Sequence, residues 1–196
     1  MNYNQSSGFA LEMDSRDALG AMRNEFYFPK INGKDALYFC GNSLGLQPKS
    51  AEAALLQELE DWKNWGVEGH FNAKNPWFPY HKILTSSLAR IVGAQKTEVV
   101  CMNTLTVNLH LLMVSFYRPT KERYKIIMEA GAFPSDQYAM ESQTRFHELN
   151  PDDAIIEISP REGEYTLRTE DILETINKHK DSLALVMFSG VQYFTG

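Results

Sequence analysis

The sequence contains only two cysteines, Cys40 and Cys101, and they lie far apart. A disulfide framework needs several paired cysteines, and a metal site of the zinc type needs cysteines or histidines at short spacing. The sequence has neither pattern. We therefore expect no metal site and a reducing, cytoplasmic setting.

Basic runs are also missing. The 19 Lys and Arg residues are outnumbered by 25 Asp and Glu residues, so the net charge is −6. An acidic chain without a cluster of Lys and Arg is a poor binder of nucleic acid, and we expect no nucleic-acid partner. Residues 1–8 carry neither a basic start nor an apolar run, which argues against a secretory signal.

A hydrophobic run free of polar groups is absent as well. Residues 99–117 form a stretch of 19 residues without a formal charge, which is long enough to span a bilayer. However, this stretch contains polar side chains that are costly in hydrocarbon, among them Asn103, Asn108 and His110. A buried strand followed by a helix explains the stretch better, and we expect no membrane partner.

That stretch is predicted to form a strand, a turn and a helix. Residues 98–102 suit a buried strand, Asn103 or Thr104 can cap a helix, and apolar residues then recur at helical spacing over 105–117. A strand-to-helix turn carrying hydroxyl groups places free backbone N–H groups at the positive end of a helix dipole. The stretch therefore predicts a binding site for a phosphate-bearing cofactor.

Strands and helices alternate from this point onward. Further strands are predicted at 124–128, 154–158 and 183–188, and an earlier short strand at 36–40. The alternation predicts an α/β fold with a mostly parallel sheet covered by helices on both faces. We expect residues 1–48 to form a helical and strand segment and residues 49–196 to form an incomplete large domain. The chain stops at Gly196 directly after an apolar run, which predicts a fragment.

Ligands of such sheets bind beyond the carboxyl ends of the strands, where three turns are predicted: 103–106, 133–136 and 189–192. Phe133 can stack on a flat heteroaromatic cofactor, and Asp136 can accept a hydrogen bond. A hydrophobic staple and a capped helix explain Phe133 and Asp136 equally well. The glycine motifs of nicotinamide sites and P-loops are absent.

The combination of segments is more specific than any one of them. Over nearly its whole length the chain resembles kynureninases, in residues 38–49 (YFCGNSLGLQPK), 102–113 (MNTLTVNLHLLM), 132–143 (AFPSDQYAMESQ), 160–164 (PREGE) and 188–196 (FSGVQYFTG). This resemblance implies the aspartate-aminotransferase-like, fold type I architecture and the cofactor pyridoxal 5′-phosphate. It also implies a homodimer that hydrolyses the Cβ–Cγ bond of L-kynurenine or 3-hydroxykynurenine in tryptophan degradation and NAD biosynthesis. The products are anthranilate or 3-hydroxyanthranilate, and L-alanine.

The resemblance also implies roles for individual residues. Leu105 and Thr106 match the positions that hold the cofactor phosphate, and Phe133 matches the ring stacked on the pyridine. The other matched cofactor contacts are Pro134, Ser135, Asp136 and Ser189. The positions that line the substrate pocket are matched by Asn42, Ser43 and His70, with His70 near the aromatic ring of the substrate.

No residue of the chain matches the family's Schiff-base lysine, the aspartate that pairs with the pyridinium nitrogen, or the arginine that binds the substrate carboxylate. The resemblance places all three beyond Gly196, so we expect no catalytic residue in the chain and no activity from these 196 residues alone. Two alternatives stay open: another fold type I lyase, such as a cysteine-desulfurase-like enzyme, and a truncated module that binds without catalysis.

Overall fold

The computed structural model describes residues 3–196 of the chain. These residues fold into two units that divide between Val99 and Val100.

The first unit is mainly helical. Two antiparallel strands of two residues each, β1 (Lys30–Ile31) and β2 (Lys34–Asp35), form a ribbon and are joined by the tight turn at Asn32 and Gly33. Its helices are α1 (Ser7–Arg16), α2 (Ala51–Trp65), α3 (Gly69–Asn72) and α4 (Thr85–Val92), and single 3₁₀ turns cover Gly20–Glu25, Gly66–Glu68, Tyr80–Lys82 and Lys96–Glu98.

Glycines end the two longer helices that come after the ribbon. Gly66 has φ of 51° and donates its N–H to the carbonyl of Trp62, and Gly93 has φ of 70° and donates to Ala89. Positive φ is readily adopted by glycine, so both helices end at the first residue that has a positive φ.

The predicted strand at residues 36–40 is wrong. Ala36 donates one backbone hydrogen bond to Pro29, but the residues after it are not part of a ladder, and Leu37 and Phe39 are about nine-tenths exposed. A strand needs a neighbour to pair its N–H and C=O groups. The apolar sequence alone does not reveal whether a neighbour exists.

The second unit is an α/β layer structure. Its three strands, β3 (Lys125–Glu129), β4 (Ile155–Ile158) and β5 (Leu183–Met187), form a parallel sheet in the order β4-β3-β5. Its helices are α5 (Leu105–Phe116), α6 (Pro134–Phe146), α7 (Pro151–Ala154) and α8 (Thr169–His179). The predicted α/β class with a parallel sheet is confirmed.

The central strand β3 carries the core. Ile126 and Met128 pack with Met113 and Tyr117 from the end of α5 and with Met140 of α6. Ile127, which points to the opposite face because side chains alternate along a strand, is also fully buried. Both faces of β3 are therefore covered, and each such aliphatic side chain contributes about 1.5–3 kcal/mol on burial.

The strand predicted at residues 98–102 is wrong, whereas the helix predicted after it is confirmed as α5. Gln95 and Glu98 form a capping box that starts the 3₁₀ turn Lys96–Glu98, and Val100 remains about half exposed. The uncharged stretch 99–117 thus contributes one helix of 12 residues. Within residues 3–196, no helix combines the length and the apolar character needed to cross a membrane.

Candidate functional site

A cleft of about 690 Å³ opens in the second unit at the carboxyl end of β5. Its walls are mostly apolar, and its polar side chains are Asn108, Asp136 and Ser189. Three segments form the lining: α5 with Leu105, Asn108, Leu109 and Leu112, α6 with Asp136, and the end of β5 with Met187 to Val191. The cleft thus brings together three of the predicted cofactor-binding residues, Leu105, Asp136 and Ser189.

The N-terminus of α5 reaches the cleft through Leu105. Thr104 occupies the N-cap position with an extended backbone, but its side chain makes no capping hydrogen bond. The first N–H groups of a helix have no partner within the helix. The first turn of α5, which begins with Leu105 and Thr106, can therefore donate backbone N–H groups to an anion, which the dipole of α5 also favours.

An asparagine inside α5 closes the turn that precedes it. Asn103 has φ of 48°, a left-handed conformation that asparagine tolerates better than most residues. The side-chain amide of Asn108 donates to the carbonyl of Met102 at 2.7 Å, and its Oδ1 accepts from the Asn103 amide at 3.2 Å. These two bonds fix the path of the backbone into the helix.

The start of α6 presents a carboxylate oxygen that lacks a partner. Pro134 occupies the first turn of α6, and the Asp136 N–H donates to the carbonyl of Phe133 at 2.9 Å. Among the described residues, nothing donates a hydrogen bond to Oδ1 of Asp136, although that atom is buried. A buried acceptor without a partner is costly, so this oxygen is suited to accept a hydrogen bond from a ligand.

Phe133 precedes α6 as its N-cap residue and stays half exposed. Its ring meets that of Tyr193 edge to face, with centroids 5.3 Å apart and an interplanar angle of 87°. This contact orients the ring of Phe133, and the half of the side chain that stays exposed is open to contact a ligand. Four of the predicted cofactor-binding residues lie close in sequence to residues of the cleft but do not line it: Thr106, Phe133, Pro134 and Ser135.

The turn after Ser189 is held by a glutamine. Oε1 of Gln192 accepts from the backbone N–H groups of Phe194 at 2.6 Å and Thr195 at 2.8 Å. Its Nε2 donates to the carbonyl of Gly131 at 3.4 Å, which links this turn to the segment leading into α6.

The three predicted substrate-binding residues lie in the first unit. Asn42 and Ser43 are exposed in a turn where Ser43 donates its N–H to the carbonyl of Cys40 at 2.9 Å. The hydroxyl of Tyr38 closes this turn by donating to the carbonyl of Leu44 at 2.6 Å. His70 is exposed in α3, with its Nδ1 2.7 Å from the carbonyl oxygen of Val67.

No family model matches the chain. It is 56% identical over 195 residues to a kynureninase of Myxococcus xanthus, a match that covers 99% of this chain and 46% of that protein. It is 55% identical over 196 residues to a kynureninase of Christiangramia forsetii, covering the whole chain and 46% of the relative. A kynureninase of Nematostella vectensis is 53% identical over 203 residues, and the match covers 97% of this chain and 44% of the relative.

The chain is similar to kynureninases along nearly its whole length. It spans somewhat less than half the length of the curated kynureninases that it matches. The kynureninase match runs through both units, since it covers the chain almost from end to end.

Two residues that shape the kynureninase-like cleft were not predicted from the sequence. Asn108 lines the cleft and closes the turn before α5, and Gln192 holds the turn after Ser189. The proximity of Asn103 and Asn108 in the sequence is a weak signal for the first of them, because asparagines frequently form turns. No sequence signal marks Gln192.

The arrangement suits one kind of ligand. The α5 N-terminus offers donors to an anionic group, the leucines and Val191 offer apolar walls to a flat ring, and Asp136 offers an acceptor to a ligand donor. Pyridoxal 5′-phosphate has an anionic phosphate, an aromatic ring and polar ring substituents. The residues present therefore fit this cofactor.

Proposed function

We propose that the complete protein, meaning this chain extended to the full length of its relatives, is a kynureninase. The reaction is the hydrolysis of the Cβ–Cγ bond of L-kynurenine, in which water is consumed and anthranilate and L-alanine are released. The observation that carries this proposal is the identity of 51–56% to kynureninases along nearly all of the chain.

Pyridoxal 5′-phosphate is the proposed cofactor. The N–H groups of Leu105 and Thr106 would hold its phosphate, Phe133 would contact its ring, and Asp136 would accept a hydrogen bond from it. Pro134, Ser135 and Ser189 complete the proposed cofactor contacts. When bound, the cofactor supplies an electron sink for the bonds at the substrate's α-carbon. The protein's own contribution in this chain is to bind and orient the cofactor and to exclude water with the leucines of α5.

Substrate contacts are proposed for Asn42, Ser43 and His70. Support for His70 comes from its bond to Val67: a carbonyl oxygen can only accept, so Nδ1 carries the hydrogen and Nε2 is left to interact outward. Such a nitrogen can accept a hydrogen bond from an amino group on the aromatic ring of kynurenine. 3-Hydroxykynurenine presents an additional hydroxyl near the same place.

We propose that the 196 residues alone are inactive. No lysine lines the cleft within the described residues, so nothing there can form a Schiff base with the cofactor or remove the α-proton of the substrate. The lysine and the remaining catalytic groups are proposed to lie in the part of the complete protein that this chain does not include.

A homodimer in the cytoplasm is the proposed assembly. The helix α2 exposes about two-thirds of Leu55 and Trp62 and more than half of Leu59, and grouped exposed apolar side chains are typical of interaction surfaces. Such a face is suited to burial in the complete dimer. Cys40 and Cys101 are both free and exposed, which agrees with a reducing compartment.

A substrate panel tests the proposed reaction. The complete protein is produced from its own gene, or by joining residues 1–196 to the remaining part of the Myxococcus xanthus relative, and is loaded with pyridoxal phosphate. L-Kynurenine, 3-hydroxykynurenine and L-cysteine are then supplied separately. We expect fluorescent anthranilate from kynurenine. Formation of alanine from cysteine, with sulfide released by an added thiol reductant and without cleavage of either kynurenine, would contradict the proposal and favour a desulfurase.

A further inference from the structure

The segment after α3 is held against α2 by two acidic residues. The indole Nε1 of Trp77 donates to Oε2 of Glu58 at 2.8 Å, and the amide of Asn75 donates to Oε1 of the same carboxylate at 3.3 Å. Three residues farther along α2, the buried carboxylate of Asp61 accepts from the backbone N–H of Lys74 at 3.1 Å. Both carboxylates lie on one face of the helix, because residues three apart are neighbours there.

The indole ring of Trp77 packs directly on the Gly69–His70 peptide. The rings of Trp77 and His70 meet edge to face, with centroids 5.6 Å apart and an interplanar angle of 75°. A Cβ atom on Gly69 would lie only 2.4 Å from the indole, so this close approach requires glycine. The backbone supports the contact, since the N–H of Phe78 donates to the carbonyl of His70 at 3.1 Å.

These contacts determine how His70 is presented. Its Nδ1 is fixed by the carbonyl of Val67 at 2.7 Å on one side, and Trp77 covers one flank of the ring. In the neutral imidazole, the bond to Val67 places the hydrogen on Nδ1 and leaves a lone pair on Nε2. Glu58 acts on His70 indirectly, because it accepts a hydrogen bond from the indole of Trp77, and that indole contacts the imidazole of His70.

We propose that Trp77, anchored by Glu58, is a positioning residue that fixes the orientation and tautomer of His70 for the aromatic end of the substrate. This inference rests on the proposed function, in which His70 contacts that end of kynurenine. Neither Trp77 nor Glu58 touches the substrate in this proposal. Their effect passes through His70, and it is lost when His70 is absent.

A double-mutant cycle in the complete, cofactor-loaded protein tests this dependence. In the wild-type background, Trp77→Phe removes the indole donor and raises KM for L-kynurenine roughly fivefold, with kcat changed by less than about twofold. In the His70→Phe background, the same change alters KM by less than about twofold. An equal factor in both backgrounds would show a role independent of His70 and would overturn the proposal, as would an unchanged KM in the wild-type background.

Variants of Glu58 test the hydrogen bond between Glu58 and the indole of Trp77. Glu58→Met removes the acceptor and raises KM as Trp77→Phe does, whereas Glu58→Gln keeps a carbonyl acceptor for the indole and restores KM to near the wild-type value. Glu60→Gln is the matched control, because Glu60 lies on the same helix and bonds only Lys63 and Asn64 among the described residues. If Glu58→Gln raises KM as much as Glu58→Met, the anchoring role is wrong.

A measurement without turnover separates this proposal from the proposed function. Nitrogen NMR of the complete protein with labelled histidine, assigned by loss of one signal in His70→Phe, reports which ring nitrogen carries the hydrogen. We expect hydrogen on Nδ1 in the wild type and a mixture of tautomers in Trp77→Phe. If the protein fails to cleave kynurenine but shows this change, the proposed function fails and the positioning by Trp77 stands. If the two forms show the same distribution of tautomers, whether mixed or with hydrogen on Nδ1 alone, the positioning role is overturned.

Discussion

Asn108 donates its side-chain amide to the carbonyl of Met102 at 2.7 Å, and this bond ties the first part of α5 to the residue before its turn. That turn includes Asn103, whose φ of 48° is unusual for a residue other than glycine. The geometry of the proposed phosphate site at Leu105 and Thr106 therefore depends on a side chain one helical turn further on.

We expect Asn108→Ala to weaken the binding of pyridoxal phosphate. The loss of one hydrogen bond of about 1 kcal/mol corresponds to a Kd higher by roughly fivefold, because the turn then samples other conformations. Cofactor absorbance titrations of the complete apoprotein measure the Kd. Asn64→Ala is the matched control, since it removes an asparagine bond to Glu60 on the exposed part of α2. Equal losses in the two variants would contradict the role of Asn108.

Phe133→Ala tests the proposed stacking on the cofactor ring. An aromatic contact contributes about 0.5–1.5 kcal/mol beyond its buried area, so we expect the Kd of the cofactor to rise by about tenfold. Tyr138→Ala serves as control because Tyr138 is an exposed aromatic residue on the same helix, α6. An unchanged affinity in Phe133→Ala would remove the stacking role.

Asp136→Asn tests the oxygen that has no partner among the described residues of the cleft. If this oxygen accepts a hydrogen bond from the cofactor, loss of its charge lowers cofactor affinity by about tenfold, because the neutral amide oxygen of asparagine is a weaker acceptor than a carboxylate. The change also removes a negative charge from the first turn of α6, which is worth about 0.3–1 kcal/mol of stability. Glu170→Gln removes a charge from the first turn of α8 and controls for that effect. If Asp136→Asn and Glu170→Gln lower the thermal midpoint equally and Asp136→Asn leaves the cofactor affinity unchanged, the role of Asp136 is purely structural.

Tyr117 gives the second unit a distinctive response to alkaline pH. Its hydroxyl donates to the carbonyl of Tyr124 at 2.5 Å, and burial raises the pKa of Tyr117 to about 12. The fold disfavours the phenolate, so the stability that this residue contributes is complete below pH 10 and is lost as the pH rises from 10 towards 12. The ultraviolet difference titration between wild type and Tyr117→Phe isolates this step.

We expect that difference titration to show one tyrosine ionising near pH 12, while Tyr165→Phe, which replaces an exposed tyrosine, leaves that step unchanged. Tyr117→Phe also costs about 1 kcal/mol at neutral pH, because the carbonyl of Tyr124 loses its donor. If the missing step in Tyr117→Phe occurred at pH 10, the hydroxyl would be open to water and the described packing would be wrong.

The elements that the sequence predicts correctly are those with a strong local pattern. Helices α5 and α6 are predicted by apolar spacing and by Pro134, and strand β3 is predicted by a short apolar run. The strands at 36–40 and 98–102 were predicted by the same kind of apolar run and are wrong. What distinguishes them from β3 is the presence of neighbouring strands, which depends on contacts between residues distant in sequence.

Prediction of the site from the sequence also succeeds only where the local pattern is strong. The turn chemistry at 103–106 and 133–136 predicts anion binding and a capped helix, and the structure brings Leu105, Asp136 and Ser189 to one cleft. The roles of Asn108 and Gln192 depend on where their amide groups point, which a residue pattern does not specify. The roles of Asn42, Ser43 and His70 come from the resemblance to kynureninases and stay predictions.

We infer that this chain provides the cofactor-binding part of a kynureninase whose remaining catalytic groups lie outside it. The most direct measurement incubates L-kynurenine and pyridoxal phosphate with the complete protein and, separately, with residues 1–196, and quantifies anthranilate and L-alanine in each reaction. We predict equal amounts of the two products from the complete protein and neither product from the 196-residue chain. A complete protein that binds the cofactor yet forms no anthranilate, or anthranilate formation by the 196-residue chain itself, would contradict this inference.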